Sequence, residues 1–568
     1  MAQSAWVRPF RVGKRLFRSI PLLACLLAVV ASPLVAQDGV PASSEGESAA
    51  DEQVGSASTL SDVLEAGASL ENQRKWNEAI RHYEKASREF PNHRKIYQRL
   101  VISRLHYDVN RRYRDPSFVE STRTMSATQA LDLYAEVLAN LETHYVERLD
   151  WSRLLLHGTA ALEIALTERR FVEHGLAGTD PAKVQRFQEN IHRRITDRPA
   201  LSRFDLRGTV AHVANLAQAE IGINPTTVIL EYVSGAISTL DPYTRLLSPD
   251  QLDDMFSNIE GNFVGLGVEL ETTPDSLKIL SVIPGGPAEE AGLLAGQHIV
   301  RVEHATTDSN PEIAADLLRG PENSLVAVRI RKVDGQTRDL SIPRRRVEVP
   351  CVENAHIADA IHRIGYLRLT NFQKTTPRDM ERAIWNLKQQ GMQSLVLDLR
   401  GNPGGLLSAA VELADRFIER GRIVTTRGRN SRENFQYTAH PVNTMDIPLA
   451  VLIDSDSASA SEIFAGAIAD NRRGLVVGER SYGKGSVQGI FRMQAAKFGL
   501  CLTTAKFYSP SGTAISQNGV HADLKVNSDD ITGRLADDGH VISDVEDEVL
   551  QAAVKRLVSH GRLISQRK

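Results

Sequence analysis

Residues 394–405 read Ser-Leu-Val-Leu-Asp-Leu-Arg-Gly-Asn-Pro-Gly-Gly, a continuous apolar strand that ends in a glycine-rich loop. The same pattern of an apolar strand followed by a loop occurs twice more. Residues 449–454 precede a row of small residues, and residues 475–479 precede Ser-Tyr-Gly-Lys at 481–484. Apolar strands that alternate with helices are typical of a largely parallel sheet with both faces covered. Loops that follow parallel strands emerge at the same edge of the sheet. The pattern therefore predicts an α/β core, at 348–530, in which three loops meet.

At 568 residues the chain is too long for one hydrophobic core, and its length indicates three or four domains. A helical region is predicted at 119–257, with a more polar insertion near 168–205, and a C-terminal helical segment at 531–568. Residues 258–347 predict a small β-rich module, since short strand-like runs alternate there with turn residues. Those runs are 264–270, 277–282, 298–302, 326–330 and 338–342.

Residues 59–118 have the spacing of one tetratricopeptide repeat, carried by Gly67, Trp76, Ala79, Tyr83, Ala86 and Pro91. One repeat cannot bury its own apolar face, so it must stack on the helical stretch that follows. A peptide-binding repeat and a plain amphipathic hairpin are both consistent with this pattern.

The first 36 residues have the layout of a secretory signal peptide: basic residues, an apolar run and small residues before Ala36. An uncut signal anchor is the alternative. Residues 37–58 are small and polar, which predicts a flexible linker. The formal net charge is −3 and no basic patch follows the leader, so a nucleic-acid partner is not expected. No Cys/His spacing indicates a metal site, and no cofactor is expected.

The row of small residues is the first of two candidate chemical segments, and it runs Asp454-Ser-Asp-Ser-Ala-Ser-Ala-Ser-Glu462. Ser459 and Glu462 have the spacing of a capping box, in which the serine merely caps a helix. A serine at a helix N-terminus also lies beside backbone N–H groups that stabilise a developing oxyanion. Capping and catalysis are therefore compatible at this position.

The second candidate is Lys484, which lies between two glycines. Lysine acts as a general base only when its pKa is lowered toward neutrality, and burial among small residues has that effect. An exposed turn lysine is the simpler interpretation of this segment alone. Gln488 could orient the amine by a hydrogen bond, and Gly404-Gly405 could present a backbone N–H to the site.

Taken together, these segments resemble the C-terminal processing (tail-specific) serine peptidases. The blocks at 398–405, 457–463, 478–488 and 504–512 match that family's motifs in order and spacing, and 240–243 resembles its Leu-Asp-Pro-His helix end. The β module resembles the PDZ domain of these enzymes. The resemblance implies a multidomain α/β protein with a helical, tetratricopeptide-like N-terminal region, a PDZ β-module and a mostly parallel α/β peptidase core.

Carried over by motif, the resemblance implies Ser459 as nucleophile, Lys484 as general base and Gln488 as its orienting partner. The N–H groups of Gly405 and Ala460 would form the oxyanion hole. The peptide-binding loop of the PDZ module would be Gly265, Leu266, Gly267 and Val268. Three departures from the family pattern are Tyr243, His298 and Ala522, and none lies in a catalytic block.

The expectation is an exported serine endopeptidase that cuts polypeptides with apolar C-termini, located in the periplasm or cell envelope. An adaptor protein or a second copy could bind through the N-terminal helical region. One alternative is a catalytically silent adaptor built on a peptidase scaffold. Another is a Ser-His hydrolase with His440 or His521 as its base.

Overall fold

The computed structural model describes residues 59–565 apart from 92, 197–198, 239, 274, 308–313, 315–316 and 527–546. The predicted leader at 1–36 and linker at 37–58 lie outside these residues. The described chain divides into two compact units: 59–143, 148–249 and 490–502 form one, and 144–147, 250–489 and 503–565 form the other. None of the described helices is long and apolar enough to cross a membrane.

The first unit is built mainly from ten helices among the described residues. They are α1 (Leu60–Asn72), α2 (Trp76–Glu89), α3 (Arg94–Arg112), α4 (Pro116–Thr124), α5 (Ala127–His144), α6 (Trp151–Ala165), α7 (Arg169–Gly175), α8 (Pro181–Thr196), α9 (Arg203–Ile221) and α10 (Pro225–Ser238). The strand β1 (Arg245–Leu247) then pairs antiparallel with residues 499–501. The polar stretch predicted as an insertion is thus helical, and Phe187 and Ile191 of α8 are buried.

The first two helices form a hairpin at the position of the predicted tetratricopeptide-like repeat. A Cβ atom at Gly67 would lie 2.3 Å from the ring of Tyr83, so the two helices approach closely only because residue 67 is glycine. Buried residues of α2 and α3, including Ala79 and Ile96, complete this small core. The hairpin and its stacking on α3 are therefore present, and peptide binding by it stays a prediction.

The predicted β-rich module lies in the second unit and follows α11 (Pro249–Glu260). Its strands are β2 (Asn262–Gly265), β3 (Val268–Thr272), β4 (Leu277–Val282), β5 (His298–Val302), β6 (Ala305–Thr306), β7 (Leu325–Arg331), β8 (Thr337–Pro343) and β9 (Arg345–Glu348), with helix α12 (Pro287–Glu290). The prediction of one strand at 264–270 is wrong. Gly267 has a φ of +80° and breaks the run into β2 and β3.

The α/β core predicted at 348–530 contains a six-stranded sheet in the order β10-β11-β12-β15-β16-β19. These strands are β10 (Val352–Asp359), β11 (Ile364–Leu369), β12 (Ser394–Asp398), β15 (Leu449–Ile453), β16 (Leu475–Gly478) and β19 (Leu524–Lys525). All neighbours pair in parallel except β10 with β11. The mostly parallel core is therefore confirmed.

Helices cover both faces of this sheet. On one face, α13 (Thr376–Gln389), α14 (Leu407–Asp415) and α15 (Ala460–Asp470) bury the odd-numbered leucines of β12. On the other face, α16 (Glu548–Ser565) packs on the alternate residues of the strands, Tyr366 and Val396 among them. A second, antiparallel sheet contains β13 (Gly421–Gly428), β14 (Phe435–Ala439), β17 (Ser486–Arg492) and β18 (Gly499–Tyr508).

Candidate active site

Three loops follow neighbouring parallel strands at one edge of the core sheet. β12 pairs with β15, and β15 pairs with β16, so the loops at 399–405, 454–459 and 479–485 leave adjacent strands. The side-by-side arrangement expected from the sequence is therefore present.

The glycine-rich loop packs directly against Ser459. A Cβ atom at Gly404 would lie 2.7 Å from the Ser459 Cβ and 2.8 Å from the Ala460 nitrogen, and Gly404 has a φ of +106°. Asn402 fixes this approach. Its backbone carbonyl accepts the Ala458 N–H at 3.0 Å, and its fully buried side-chain oxygen accepts the Gly404 N–H at 2.9 Å. Glycine at 404 is thus required for the loops to meet.

The serines of the small-residue row differ in their surroundings. Ser457 and Ser461 are fully buried, and their hydroxyls donate to the carbonyls of Leu399 at 2.8 Å and Asn402 at 2.9 Å. Ser455 is exposed, and Ser459 is half-buried at the start of α15. The backbone of Ser459 has a φ of +57°, an uncommon conformation for a residue with a side chain, and such strained conformations are enriched at functional sites.

The carboxylate of Glu462 joins the serine segment to the lysine segment. Its Oε2 accepts the backbone N–H of Ser459 at 2.7 Å and that of Lys484 at 2.9 Å. Its Oε1 accepts the Ser481 hydroxyl and the Gly483 N–H, each at 2.6 Å. Glu462 has no exposed surface. Because one oxygen binds both backbones, Ser459 and Lys484 are held side by side.

Burial raises the pKa of Glu462, and the hydrogen bonds from Ser481, Gly483, Ser459 and Lys484 lower it only in part. The ionised carboxylate can accept all four donors, whereas a protonated carboxyl must donate one hydrogen itself. The hydrogen bonds by which Glu462 connects the two loops are therefore strongest when its carboxyl group is ionised.

Close packing surrounds Lys484 on the side of its two glycines. A Cβ atom at Gly485 would lie 2.1 Å from the Ser516 nitrogen, and one at Gly483 would lie 3.2 Å from the Gln517 Cα. The Gly483 carbonyl accepts the Gln517 N–H at 2.9 Å. Residues 515–517 therefore cover the lysine loop, and the Lys484 side chain itself is half-buried.

Gln488 lies on β17, four residues beyond Lys484. Its amide nitrogen donates to the Ser486 hydroxyl at 2.9 Å and lies 3.4 Å from the Thr503 hydroxyl. The expected hydrogen bond between Gln488 and the lysine amine stays a prediction.

The two expected oxyanion donors flank Ser459. Ala460 is the first residue of α15, so its N–H has no carbonyl one turn back within the helix to bind. Gly405 has a φ of +136° and forms a short bridge with Phe372, whose carbonyl accepts the N–H of Leu406 rather than that of Gly405. Binding of an oxyanion by these two N–H groups stays a prediction.

The PDZ loop turns its carbonyls toward the body of the module. The Leu266 carbonyl accepts the Ala288 N–H at 2.8 Å, and the Gly267 carbonyl accepts the Ile283 N–H at 2.9 Å. In a trans peptide the N–H points opposite to the carbonyl. The N–H groups of Gly267 and Val268 therefore point away from residues 283–288, toward the free edge of β3.

Sequence reasoning missed two sets of residues. Glu462 was taken only as half of a capping box, and that box was the one local signal for its position. Asp398 and Arg400 lie in the motif block at 398–405, but Asp547, the third member of their buried group, gave no signal, because it is distant in the sequence and aspartate is a common helix cap.

Two family models match this chain. Residues 363–526 match the model described as peptidase family S41, and residues 278–332 match a model described as PDZ domain. A carboxy-terminal-processing protease of Bartonella bacilliformis is 37% identical over 302 residues, which are 52% of this chain and 68% of that relative. A carboxyl-terminal-processing protease of Synechocystis sp. is 33% identical over 294 residues, 50% of this chain and 68% of that relative.

Among solved structures, one titled photosystem II D1 C-terminal processing protease is 27% identical, with a TM-score of 0.35 over 67% of this chain and 94% of that chain. The family match lies on the core that carries the three loops. The PDZ match lies on the module between α11 and the core. The chain therefore belongs to peptidase family S41, as a serine-type peptidase of polypeptides that carries a PDZ domain.

Proposed function

We propose that Ser459 and Lys484 form the catalytic dyad of this protease. The observation that carries the proposal is the Glu462 Oε2 atom, which accepts the backbone N–H groups of both Ser459 and Lys484. A nucleophile and a base must be held together in a fixed orientation, and a shared buried carboxylate has that effect. The half-buried position of Ser459, beside two fully buried serines, selects one hydroxyl from the row.

In the proposed reaction, the Ser459 hydroxyl attacks the carbonyl carbon of the scissile peptide while the Lys484 amine accepts its proton. The N–H groups of Gly405 and Ala460 bind the oxyanion of the tetrahedral intermediate. Lys484 then returns the proton to the leaving amine, and the C–N bond breaks to give an acyl-enzyme. A water molecule, deprotonated by Lys484, hydrolyses the ester and restores Ser459. Gln488 orients the lysine in this scheme.

Cleavage of a peptide with an apolar C-terminus tests the dyad. We expect Ser459→Ala and Lys484→Ala each to lower kcat by at least about 10³-fold. The controls are Ser455→Ala, an exposed serine of the same row, and Lys388→Ala, an exposed lysine on α13. The controls should cleave at the wild-type rate. Wild-type cleavage by either dyad variant would refute the proposal.

We further propose that the PDZ module captures the C-terminal tail of the substrate. β3 is one of the two edge strands of its sheet in the described part of the chain, and an extended peptide adds to such an edge through backbone hydrogen bonds. The N–H groups of Gly267 and Val268 point toward that edge and would hold the terminal carboxylate, together with those of Gly265 and Leu266.

A pair of peptides tests capture by the PDZ module, one with a free C-terminal carboxylate and one with an amide. We expect the amide to raise KM about tenfold or more, since hydrogen bonds to a charged group are lost. Gly267→Ala should remove this difference, because a Cβ there lies 3.3 Å from Val347 in a left-handed conformation. Gly335→Ala is the control, with a similar φ of +82° and no atom within 4 Å. Equal KM values for both wild-type substrates would contradict tail capture.

The N-terminal region and the leader carry two subsidiary proposals. Export to the periplasm or cell envelope would place an N-terminus after Ala36, which N-terminal sequencing of the protein from cells tests. Self-association or adaptor binding through residues 59–118 is supported by Tyr97 and Tyr107, which are 44% and 37% exposed on α3. Sedimentation velocity of the full chain and of a Tyr97→Ser, Tyr107→Ser variant tests self-association, and an unchanged oligomer would contradict it.

A further inference from the structure

The guanidinium of Arg400 lies between two buried carboxylates. Asp398 binds one side of it, through Nε at 3.0 Å and Nη2 at 2.7 Å. Asp547 binds the other side, through Nη1 at 3.0 Å and Nη2 at 2.6 Å. Arg400 is 6% exposed and each aspartate is 2% exposed. Both pairs of donors on the guanidinium are thus occupied by bidentate carboxylates, a geometry that fixes its position and its plane.

One of these carboxylates would suffice to neutralise Arg400. Burial alone would raise the pKa of Asp398, but the charge of Arg400 and hydrogen bonds from Arg400 and Tyr366 hold it below its ordinary value. Adding Asp547 makes the buried group net negative and requires a third charge to leave water, which costs several kcal/mol. The need to neutralise Arg400 therefore does not explain why Asp547 is buried beside it, whereas a role in fixing the position of the guanidinium does.

Asp547 comes from an element distant in the sequence. It immediately precedes α16, and its Oδ1 accepts the Leu550 N–H at 3.0 Å as a helix cap. Val549, Leu550 and Ala553 of this helix are buried against the core sheet. The position of Asp547 is thus set by the docking of α16 on the sheet face.

Arg400 in turn is the last residue before the glycine-rich loop. Its own N–H donates to Asp398 at 2.9 Å, and the next N–H, that of Gly401, donates to the Asp454 carboxylate at 2.9 Å. Asn402 and Gly404 then make the contacts to the serine segment described above. A shift of Arg400 would therefore move the start of the loop that carries Gly405.

We propose that Asp547 is a positioning residue for the peptidase reaction. By filling the second side of Arg400, it holds residues 401–405 in the conformation that presents the Gly405 N–H beside Ser459. The C-terminal helix is then part of the active-site framework, and its docking sets the oxyanion donor. This inference rests on the proposed role of Gly405 as an oxyanion donor.

Asp547→Asn separates the two roles of this side chain. Asparagine caps a helix as well as aspartate does, but its amide group would face the Arg400 donors with donors of its own. We expect kcat to fall about tenfold or more, since losing an oxyanion donor outright costs 10²–10³-fold. KM for the tail peptide should stay within about twofold, because the PDZ module is untouched. Acylation by a fluorophosphonate should slow by the same factor as kcat.

Glu548→Gln is the matched control, since it removes an exposed carboxylate one residue along the same helix. It should match the wild type in kcat, KM and melting temperature. Wild-type kcat in Asp547→Asn, measured well below its melting temperature, would overturn the inference even if that temperature has dropped. Should Asp547→Asn fail to fold, Asp547→Ser, which also caps, is expected to show the same loss of kcat, and wild-type kcat there overturns the inference. Absence of cleavage by the wild type would instead overturn the proposed function, and this inference with it.

Discussion

Replacing Glu462 with glutamine tests whether its carboxylate holds the serine and lysine segments together. The change keeps the size of the side chain but substitutes an amide for one of its two oxygens. An amide on the Oε2 side would face the N–H groups of Ser459 and Lys484, which are donors that it cannot accept. On the Oε1 side it would face the Gly483 N–H and the Ser481 hydroxyl. In either orientation at least one buried N–H loses its acceptor.

The expected cost follows from that count. One unsatisfied buried donor costs about 1–3 kcal/mol, so one or two of them should lower the free energy of unfolding by about 1–6 kcal/mol. Loosening the backbones of Ser459 and Lys484 should also lower kcat by about 10²-fold, the effect of a misplacement near 1 Å. Burial raises the pKa of Glu462, so we expect this carboxylate to contribute to the acid limb of the wild-type kcat profile above the ordinary pKa of glutamate.

Peptide cleavage as a function of pH, together with thermal unfolding, measures both effects. Glu381→Gln, an exposed glutamate on α13, is the control and should leave kcat and melting temperature unchanged. In Glu462→Gln the part of the acid limb that comes from this carboxylate should disappear, and only the part that comes from protonation of Lys484, the proposed base, should remain. A Glu462→Gln enzyme with wild-type kcat and stability would refute the reasoning that the shared carboxylate holds the site together.

Two further predictions concern a loop glycine and a buried carboxyl. Gly404→Ala should lower kcat about 10²-fold or more, because its Cβ would lie 2.7 Å from Ser459. The control is Gly391→Ala, at a glycine with a φ of +90° and no atom within 4 Å, which should cost about 1 kcal/mol of stability and no activity. Equal activities of the two variants in a cleavage assay would contradict this prediction. Burial raises the pKa of Glu163 to about 7, so the folded chain binds this proton more tightly than the unfolded chain and loses stability as pH rises toward and through 7. Glu163→Gln should therefore stabilise the protein by about 1–3 kcal/mol at pH 8 and by little at pH 5, and thermal unfolding that shows the same change at both values would contradict it.

The sequence predicted the parts of the site that depend on local pattern. The apolar runs of β12, β15 and β16 were located to within one residue, because fully buried strands have a clear composition. Their parallel pairing placed the three loops together. The four motif blocks then singled out Ser459 and Lys484 from several serines and lysines. These features need only short-range signals and the known geometry of parallel sheets.

The parts that were missed depend on contacts between distant segments. Glu462 has the local signature of a helix cap, and nothing in that signature shows that it also binds Gly483 and Lys484. Asp547 and Arg400 are 147 residues apart, and no periodicity connects them. The break at Gly267 was missed because residues 264–270 are apolar enough to form one strand, whereas in the structure Gly267 has a left-handed φ of +80° and lies close to Val347 and Gly286. Such close approaches become visible only in three dimensions.

The central claim is that Ser459 is the nucleophile and Lys484 its base, and acylation by a fluorophosphonate tests it most directly. Intact mass and peptide mapping should show one adduct, on Ser459, which Ser459→Ala abolishes and Lys484→Ala slows at least about 10²-fold. His440→Ala and His521→Ala should label at the wild-type rate. An adduct that persists in Ser459→Ala, or that one of the histidine variants abolishes while Lys484→Ala does not, would contradict the claim. A wild-type protein that is never labelled would favour the catalytically silent adaptor.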